Sequence, residues 1–356
     1  MRSPLLRSPR FWLLSAAVVL GGLGCGESDV GLGSPDFASS PRALVSRNDV
    51  VAAGDGHMLR LGLLGTVGAS GFNAVGQLGD GTLVDRSTAV LVPGLSGVVS
   101  IAAGAHHSLA LRSDGVLWAW GFNALRQLGD GTSTDRASPV PVFAPVMGIA
   151  AGYLHSLAVR PDGTVFVWGD GYWRAPVTGL TQVVDLAAGE GFSLALRADG
   201  TVWTWPTSTT TATQVPHLTQ VSIIAAGRWH SLALRADGTV WTWDASRPLT
   251  QVTGLSNVVS IAGGEGYSLA TLADGTVWGW GANGCGQLGD GTTTDRLTPV
   301  QAVGPRYVVA VEGGWRHSVA RASDGTHWVW GCDDWGQLGD GASNTARHLP
   351  VQLPAF

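Results

Sequence analysis

From residue 98 to residue 142, short apolar runs alternate with polar, glycine-rich breaks. Val98-Val99-Ser100-Ile101-Ala102-Ala103 predicts a strand, and His107 to Arg112 alternates with the period of two of a second. Val116-Leu117-Trp118-Ala119-Trp120 predicts a third, with both rings on one face. Asp114-Gly115 lies between the second and third and is a strong two-residue hairpin signal, a turn in which both positions take positive φ. Pro139 to Val142 predicts a fourth strand at a sheet edge, where proline is tolerated.

The pattern recurs. A run of small residues ends in Gly, two variable residues follow, then an aromatic ring and usually Ser. The anchor glycines are Gly54, Gly104, Gly152, Gly189, Gly227, Gly264 and Gly314, spaced 50, 48, 37, 38, 37 and 50 residues apart. Such a period belongs to architectures in which no repeat buries its apolar faces alone. Four short antiparallel strands, seven times over, predict an all-β, seven-bladed β-propeller of four-stranded antiparallel blades. The Asp-Gly turn returns at Asp162, Asp199, Asp237, Asp274 and Asp324. Tryptophan pairs return as Trp203/Trp205, Trp241/Trp243, Trp278/Trp280 and Trp328/Trp330, with Phe166/Trp168 as a variant. Because every blade after the first carries the pair, it is expected to pack between blades rather than to stack on sugars. The first blade has Gly68 and Ser70 at these positions and should be the weakest packing point in the ring.

Comparing repeats separates constant from variable positions. The ring after each anchor is His57, His107, His155, Phe192, His230, Tyr267 and His317. A place that Phe or Tyr can fill in a sister blade suits a packed ring with one hydrogen bond, not catalysis or metal binding. No acid recurs beside His107-Ser108 to make a hydrolase dyad. Asp130 with Asp135, and Asp290 with Asp295, lack the alternating ligands of a calcium loop; turn capping and pairing with Arg136 and Arg296 are expected instead. No catalytic residue, cofactor or metal is expected.

Four repeats extend the third strand into a long glycine-rich loop, at Gly71 to Thr82, Gly121 to Thr132 (with Arg126 replacing one Gly), Gly281 to Thr292 and Gly331 to Gly341. With the Ala-Gly-x-x-His-Ser and Asp-Gly-Thr-Val-Trp phrases, these loops resemble the regulator of chromosome condensation repeat family over roughly residues 44–354. The resemblance implies a seven-bladed propeller. The repeats at Gly152, Gly189 and Gly227 lack the long loop and are similar to those of a secreted β-lactamase inhibitor protein on the same propeller. The family's founding member exchanges guanine nucleotide on a nuclear GTPase and binds chromatin. Only the scaffold is expected to transfer, because fold does not fix function.

Composition argues the same way. Charged residues are 13% of the 356, and 52 are Gly, about half and about twice the usual shares. All 21 basic residues are Arg, which excludes Schiff-base chemistry and a phosphate-loop lysine. Residues 1–24 read as an export signal: Arg2, Arg7 and Arg10 precede an apolar stretch, Phe11 to Leu20, too short to span a bilayer. Gly22-Leu23-Gly24-Cys25 resembles a lipobox in which Cys25 is lipidated, ordinary cleavage being the alternative. Residues 25–43 would be a flexible tether and 44–356 the propeller. Loss of the three signal arginines takes the net charge from −5 to −8, which disfavours a nucleic-acid partner. Cys285 and Cys332 sit in loops of consecutive repeats; an envelope compartment would permit a disulfide, and two unbonded small residues are the other reading. Either Pro41 to Val45 or Pro350 to Leu353 could supply the strand that completes the last blade.

The informative residues lie between anchor and ring: Asp55-Gly56, Ala105-His106, Tyr153-Leu154, Glu190-Gly191, Arg228-Trp229, Glu265-Gly266 and Trp315-Arg316. They occupy the turn between the first two strands, which shares a face with the long loops. Tyr153, Glu190, Arg228, Trp229, Glu265, Trp315 and Arg316, with Trp335 from a long loop, are therefore the candidate partner-binding residues. Long loops on the first, second, sixth and seventh blades would raise a crescent, leaving a notch over blades three to five. The expectation is a monomeric, non-enzymatic protein-binding scaffold, held to the cell envelope through a lipid on Cys25 as an outer-membrane or surface lipoprotein, or secreted. The alternatives are an envelope enzyme or binder acting on polysaccharide or peptidoglycan and, by family analogy, a nucleotide exchange factor. No blade offers a carboxylate pair outside its turns, which argues against glycan hydrolysis.

Overall fold

A computed structural model describes residues 50–353. The expected export signal, Cys25, the tether and the strand-like Pro41 to Val45 lie outside them. Seven four-stranded antiparallel sheets follow one another, each built from one contiguous segment with its strands in sequence order. The blades span residues 51–91, 98–143, 148–176, 183–214, 221–251, 258–301 and 308–353. First strands line a central channel. Arg347–Leu353 pairs with His327–Gly331 as the fourth strand of blade 7, and blade 7 packs directly on Val51–Ala53 of blade 1. The ring thus closes without strand exchange among the described residues.

Blade 2 shows how the local sequence is read. Its strands are Val98–Ala103, His107–Arg112, Leu117–Gly121 and Arg136–Phe143. The fourth strand starts earlier than Pro139, because Arg136 already pairs with Gly121 across the base of the long loop. The hairpin differs from expectation. Gly115 alone takes positive φ (79°), and its N–H donates to the Arg112 carbonyl at 2.9 Å. Asp114 accepts the Val116 N–H at 3.1 Å instead of entering the left-handed region. This is a three-residue turn closed by Gly, whose capping Asp explains the recurrent Asp-Gly pair.

Apolar clusters lie between neighbouring blades: one joins Leu59, Val67 and Leu78 of blade 1 to Val98, Ile101 and Trp120 of blade 2. Four of the five histidines of the ring position reach across the same joint. His57, His107, His155 and His230 place Nε2 2.8–3.0 Å from Ser108, Ser156, Ser193 and Ser268 of the next blade. Ser108 gives its proton to the Gln77 carbonyl (2.8 Å), so the proton between it and His57 belongs to Nε2. Tyr267 plays the same part through Ser318. Burial holds His107 down at about 3, and His155, His230 and His317 at about 4, so these rings are neutral. The anchors are glycine for want of space: a Cβ on Gly104 would sit 2.2 Å from His107 and 2.5 Å from the Gly152 carbonyl.

The joint between blades 7 and 1 is built differently. Met58 replaces the serine and Ser70 the second tryptophan, and both are fully buried. Ser70 reaches the Gln337 carbonyl only at 3.5 Å, and His317 Nε2 has no partner. A thioether fills volume that indole and hydrogen bonds occupy elsewhere.

Candidate functional site

The residue after each anchor glycine is fixed by a backbone ring at one mouth of the channel. Asp55 N–H donates to the Ala105 carbonyl (3.3 Å), Ala105 to Tyr153 (3.2 Å), Glu190 to Arg228 (2.7 Å) and Glu265 to Trp315 (3.1 Å). Tyr153, Arg228 and Trp315 donate instead to the next anchors, Gly189, Gly264 and Gly54, at 3.1–3.2 Å. The turns and the long loops share this face, since the Phe72 N–H donates to the Gly56 carbonyl at 2.7 Å. The channel behind it is a cavity of about 210 Å³.

Five of the eight sequence-derived candidates meet around Arg228. Its guanidinium pairs with Glu190 and, at 2.9 Å, with Glu265, and lies 4.3 Å from the Tyr153 ring centroid and 4.9 Å from that of Trp229. Trp229 Nε1 donates to Glu190 at 3.0 Å, yet the side chain remains 53% exposed. Asp55 joins the group from blade 1. Burial pushes it up to about 7, opposed by Arg228 and helped by the charges of Glu265 and Glu190. The expectation that no carboxylates converge therefore fails: blades 1, 4 and 6 each send one to the channel mouth, a convergence across repeats that no single repeat displays.

The other three candidates form a second group. Trp335 stacks on Trp315, with centroids 6.3 Å apart and planes at 15°, and meets Phe72 at 5.4 Å; Phe72 in turn meets His106 at 5.9 Å. This half-buried aromatic run ties the loops of blades 7, 1 and 2 together. Arg316 lies 6.0 Å from the Trp315 ring. Beside it, Cys285 and Cys332 are joined as a disulfide with Cα atoms 5.1 Å apart, linking the long loops of blades 6 and 7.

Sequence reasoning missed Tyr172 and Trp173, 50% and 59% exposed, which start the fourth strand of blade 3 directly after its two-residue connection. They line a cleft of about 200 Å³ with Thr207, Ser208, Thr209 and Thr210. Arg126 lies 4.3 Å from the Trp173 ring centroid and has φ of 66°, where the sister loops have Gly76, Gly286 and Gly336. Arg126, a bulky residue where three sister loops have Gly, was the available sequence signal.

The loop aspartates are engaged by protein groups, as turn capping and arginine pairing predict. Asp130 pairs with Arg136 at 2.7 Å and Asp290 with Arg296 at 2.6 Å, while Asp135 and Asp295 accept the backbone N–H of Asn123 and Asn283. The long loops of blades 1, 2 and 6 each cover the tryptophan of the following blade, while that of blade 7 meets Ser70. Trp120, Trp168 and Trp330 donate Nε1 to the carbonyls of Gln77, Gln127 and Gln287 at 2.7–2.9 Å.

Models of the "Regulator of chromosome condensation (RCC1) repeat" match residues 65–111, 114–159 and 274–321, and a second model of that repeat matches 98–127, 148–172, 183–205, 221–243 and 258–287. No curated protein sequence matches the chain. Among similar solved structures is Prp20p from Saccharomyces cerevisiae, in a study of its binding to Gsp1p and histones. It is 23% identical with a TM-score of 0.72, over 80% of this chain and 85% of that one. Yeast RCC1 (Prp20) bound by Kap60 is 21% identical with a TM-score of 0.75, over 91% and 90%. Human WBSCR16 is 21% identical with a TM-score of 0.66, over 77% and 86%. At these identities the likeness is one of fold.

Proposed function

We propose, because the chain belongs to the regulator of chromosome condensation (RCC1) repeat family, that its loop-rich face is a docking surface for another protein. Prp20p binds Gsp1p and histones, and Kap60 binds yeast RCC1, which supports the class of function and leaves the partner open. One observation carries the reading. Trp173 and Trp229, the most exposed tryptophans among the described residues, stand with Tyr172 over the blades that lack long loops. Each indole is braced by an arginine, Arg126 or Arg228. Rigid, exposed aromatics beside a fixed guanidinium are the composition of binding hot spots. The partner sits in the notch over blades 3 to 5, with the crescent as its wall.

On the export-signal pattern of residues 1–24 and the lipobox-like Cys25 we assign this encounter to the envelope, a part of the proposal that rests on sequence alone. The test is capture from envelope and secreted fractions by the full chain, beside Trp173→Ala, Trp229→Ala and Arg228→Ala. Each substitution should weaken the captured complex by about 2 kcal/mol, roughly thirtyfold. Leu297→Ala, on a fully exposed side chain of blade 6's fourth strand, should change nothing. Equal capture by all four variants would remove the notch from the proposal.

The three mouth carboxylates favour a second reading, hydrolysis of an envelope glycan with Asp55 as proton donor. Arg228 ties up two of the three. Turnover of peptidoglycan or polysaccharide that Asp55→Asn abolishes would put this reading first.

A further inference from the structure

One asparagine organises each long loop except the last. Asn73, Asn123 and Asn283 are fully buried. Each side-chain carbonyl accepts a backbone N–H, from Leu78, Leu128 or Leu288, at 2.9–3.0 Å. Each amide donates to an aspartate, Asp80, Asp130 or Asp290, at 3.0–3.1 Å. It donates also to two backbone carbonyls, such as those of Thr82 and Val84 at 3.1 Å. The amide nitrogen therefore stands in a nest of acceptors.

In blade 7 that place belongs to Asp333, which is 1% exposed. Its Oδ1 accepts the Leu338 N–H at 2.9 Å, as the sister carbonyls do. Its Oδ2 takes the place of the sister amide nitrogen and has no hydrogen-bond partner. Asp340 keeps the sister aspartate's role, paired with Arg347 at 2.8 Å. A charged Asp333 would leave a buried carboxylate oxygen with no donor and in the field of a second carboxylate, Asp340, a costly arrangement for a buried polar group. A proton on Oδ2 supplies the missing donor.

We propose that Asp333 is held as the neutral carboxylic acid, and that loss of its proton loosens the blade 7 loop and the seat of Trp335, making this loop a pH-sensitive element. Burial pushes Asp333 up to about 7; the Leu338 N–H pulls it back, Asp340 pushes it up, Arg347 opposes and Asp334 adds to the rise. From blade 1, Ser87 and Thr88 pack on Gly336 and Gly341 and carry no charge. Blade 6 contributes disulfide-bonded Cys285, and blade 7's first turn contributes Arg316, whose carbonyl accepts the Cys332 N–H, and neutral His317. The folded value lies above the unfolded one, so the fold holds the proton. The stabilisation is complete below about 4 and is lost as pH rises through about 7. The inference concerns the loop itself and stands whether or not Trp335 touches a partner.

The experiment is amide hydrogen exchange on the full chain from pH 5.5 to 8.5, beside Asp333→Asn, which restores the residue of the three sister loops. Corrected for intrinsic exchange, protection of the Leu338 amide should fall about tenfold per pH unit above pH 7. Leu288, its counterpart in blade 6, should stay level, and Asp333→Asn should level Leu338 too. Leu338 tracking Leu288 across the range, or the same profile in Asp333→Asn, would overturn the proposal. So would protection at pH 8.5 that depends on added calcium, since a cation would then fill the proton's place.

Discussion

Blades 1, 2, 6 and 7 and blades 3, 4 and 5 share their first three strands and differ in what covers the joint. The long loops of blades 1, 2 and 6 close over the next blade's tryptophan and give its indole a carbonyl partner, as Gln77 does for Trp120; that of blade 7 closes over Ser70. Past blades 3, 4 and 5 there is no such loop. Trp205 is still buried, but its Nε1 has no partner, and Trp243 and Trp280 are only half-buried. The covered joints spend their aromatic surface on folding, whereas the open ones present it, and the exposed Trp173 and Trp229 stand over that open sector. One scaffold yields a covered crescent and an open notch according to whether a blade carries the loop, not by a change in the blade.

The largest expected effect tests what both sectors share. The ring histidines cross joints of either kind, between blades 1 and 2 as between blades 5 and 6. Burial keeps them neutral, so the fold binds fewer protons than the unfolded chain. Their stabilisation is complete above about 6.5 and is lost as pH falls toward about 4. At about 1.4 kcal/mol per pH unit and histidine, His107, His155, His230 and His317 would withdraw on the order of 10 kcal/mol by pH 4.5. Asp55 and Asp333 act in the opposite sense, losing their contribution as pH rises through about 7. Acid unfolding followed by circular dichroism should be complete before pH 4. A native signal at pH 4 would mean that the rings are not the titrating seams of the propeller.

A smaller effect should also ignore the division. A Cβ at Gly104, in a long-loop blade, would meet His107 at 2.2 Å, and one at Gly189, in a short-loop blade, would meet Phe192 at 2.2 Å. Gly104→Ala and Gly189→Ala should each cost about 3 kcal/mol in urea unfolding. A marked inequality would show that one sector yields where the other is rigid.

How much of this was legible depends on whether a feature repeats. The blade count, the four strands, the packed rings and the shared face of turns and loops all follow from phrases that recur, so one repeat interprets another. Contacts between unlike repeats were not legible. Nothing in Asp55, Glu190 and Glu265 announces that closing the ring brings them to one mouth. Tyr172 and Trp173 look like strand residues until the missing loop exposes them. Met58 was an unremarked exception, and its physical role appears only when Ser70, 12 positions on, is seen to vacate an indole's volume. The Asp-Gly turn was misread for a simpler reason: the dipeptide fits two turn geometries, and the Asp side-chain bond to Val116 selects the three-residue one.

The smallest expected effect is the sharpest test of the comparison. Trp120→Phe and Trp205→Phe remove the same atoms from two side chains that are 0% and 1% exposed, so the loss of buried area nearly cancels between them. They differ in one bond. Trp120 Nε1 donates to the Gln77 carbonyl at 2.8 Å, whereas Trp205 Nε1 is buried without an acceptor. Losing the first costs a hydrogen bond, while losing the second relieves an unsatisfied donor. Trp120→Phe should therefore be the more destabilising by about 1–2 kcal/mol in urea unfolding. Ser108 still donates to the Gln77 carbonyl, which keeps the covered side from paying a second penalty for an abandoned acceptor. Equal costs would mean that the loop shields the indole without bonding it. The division between crescent and notch would then be one of shape alone.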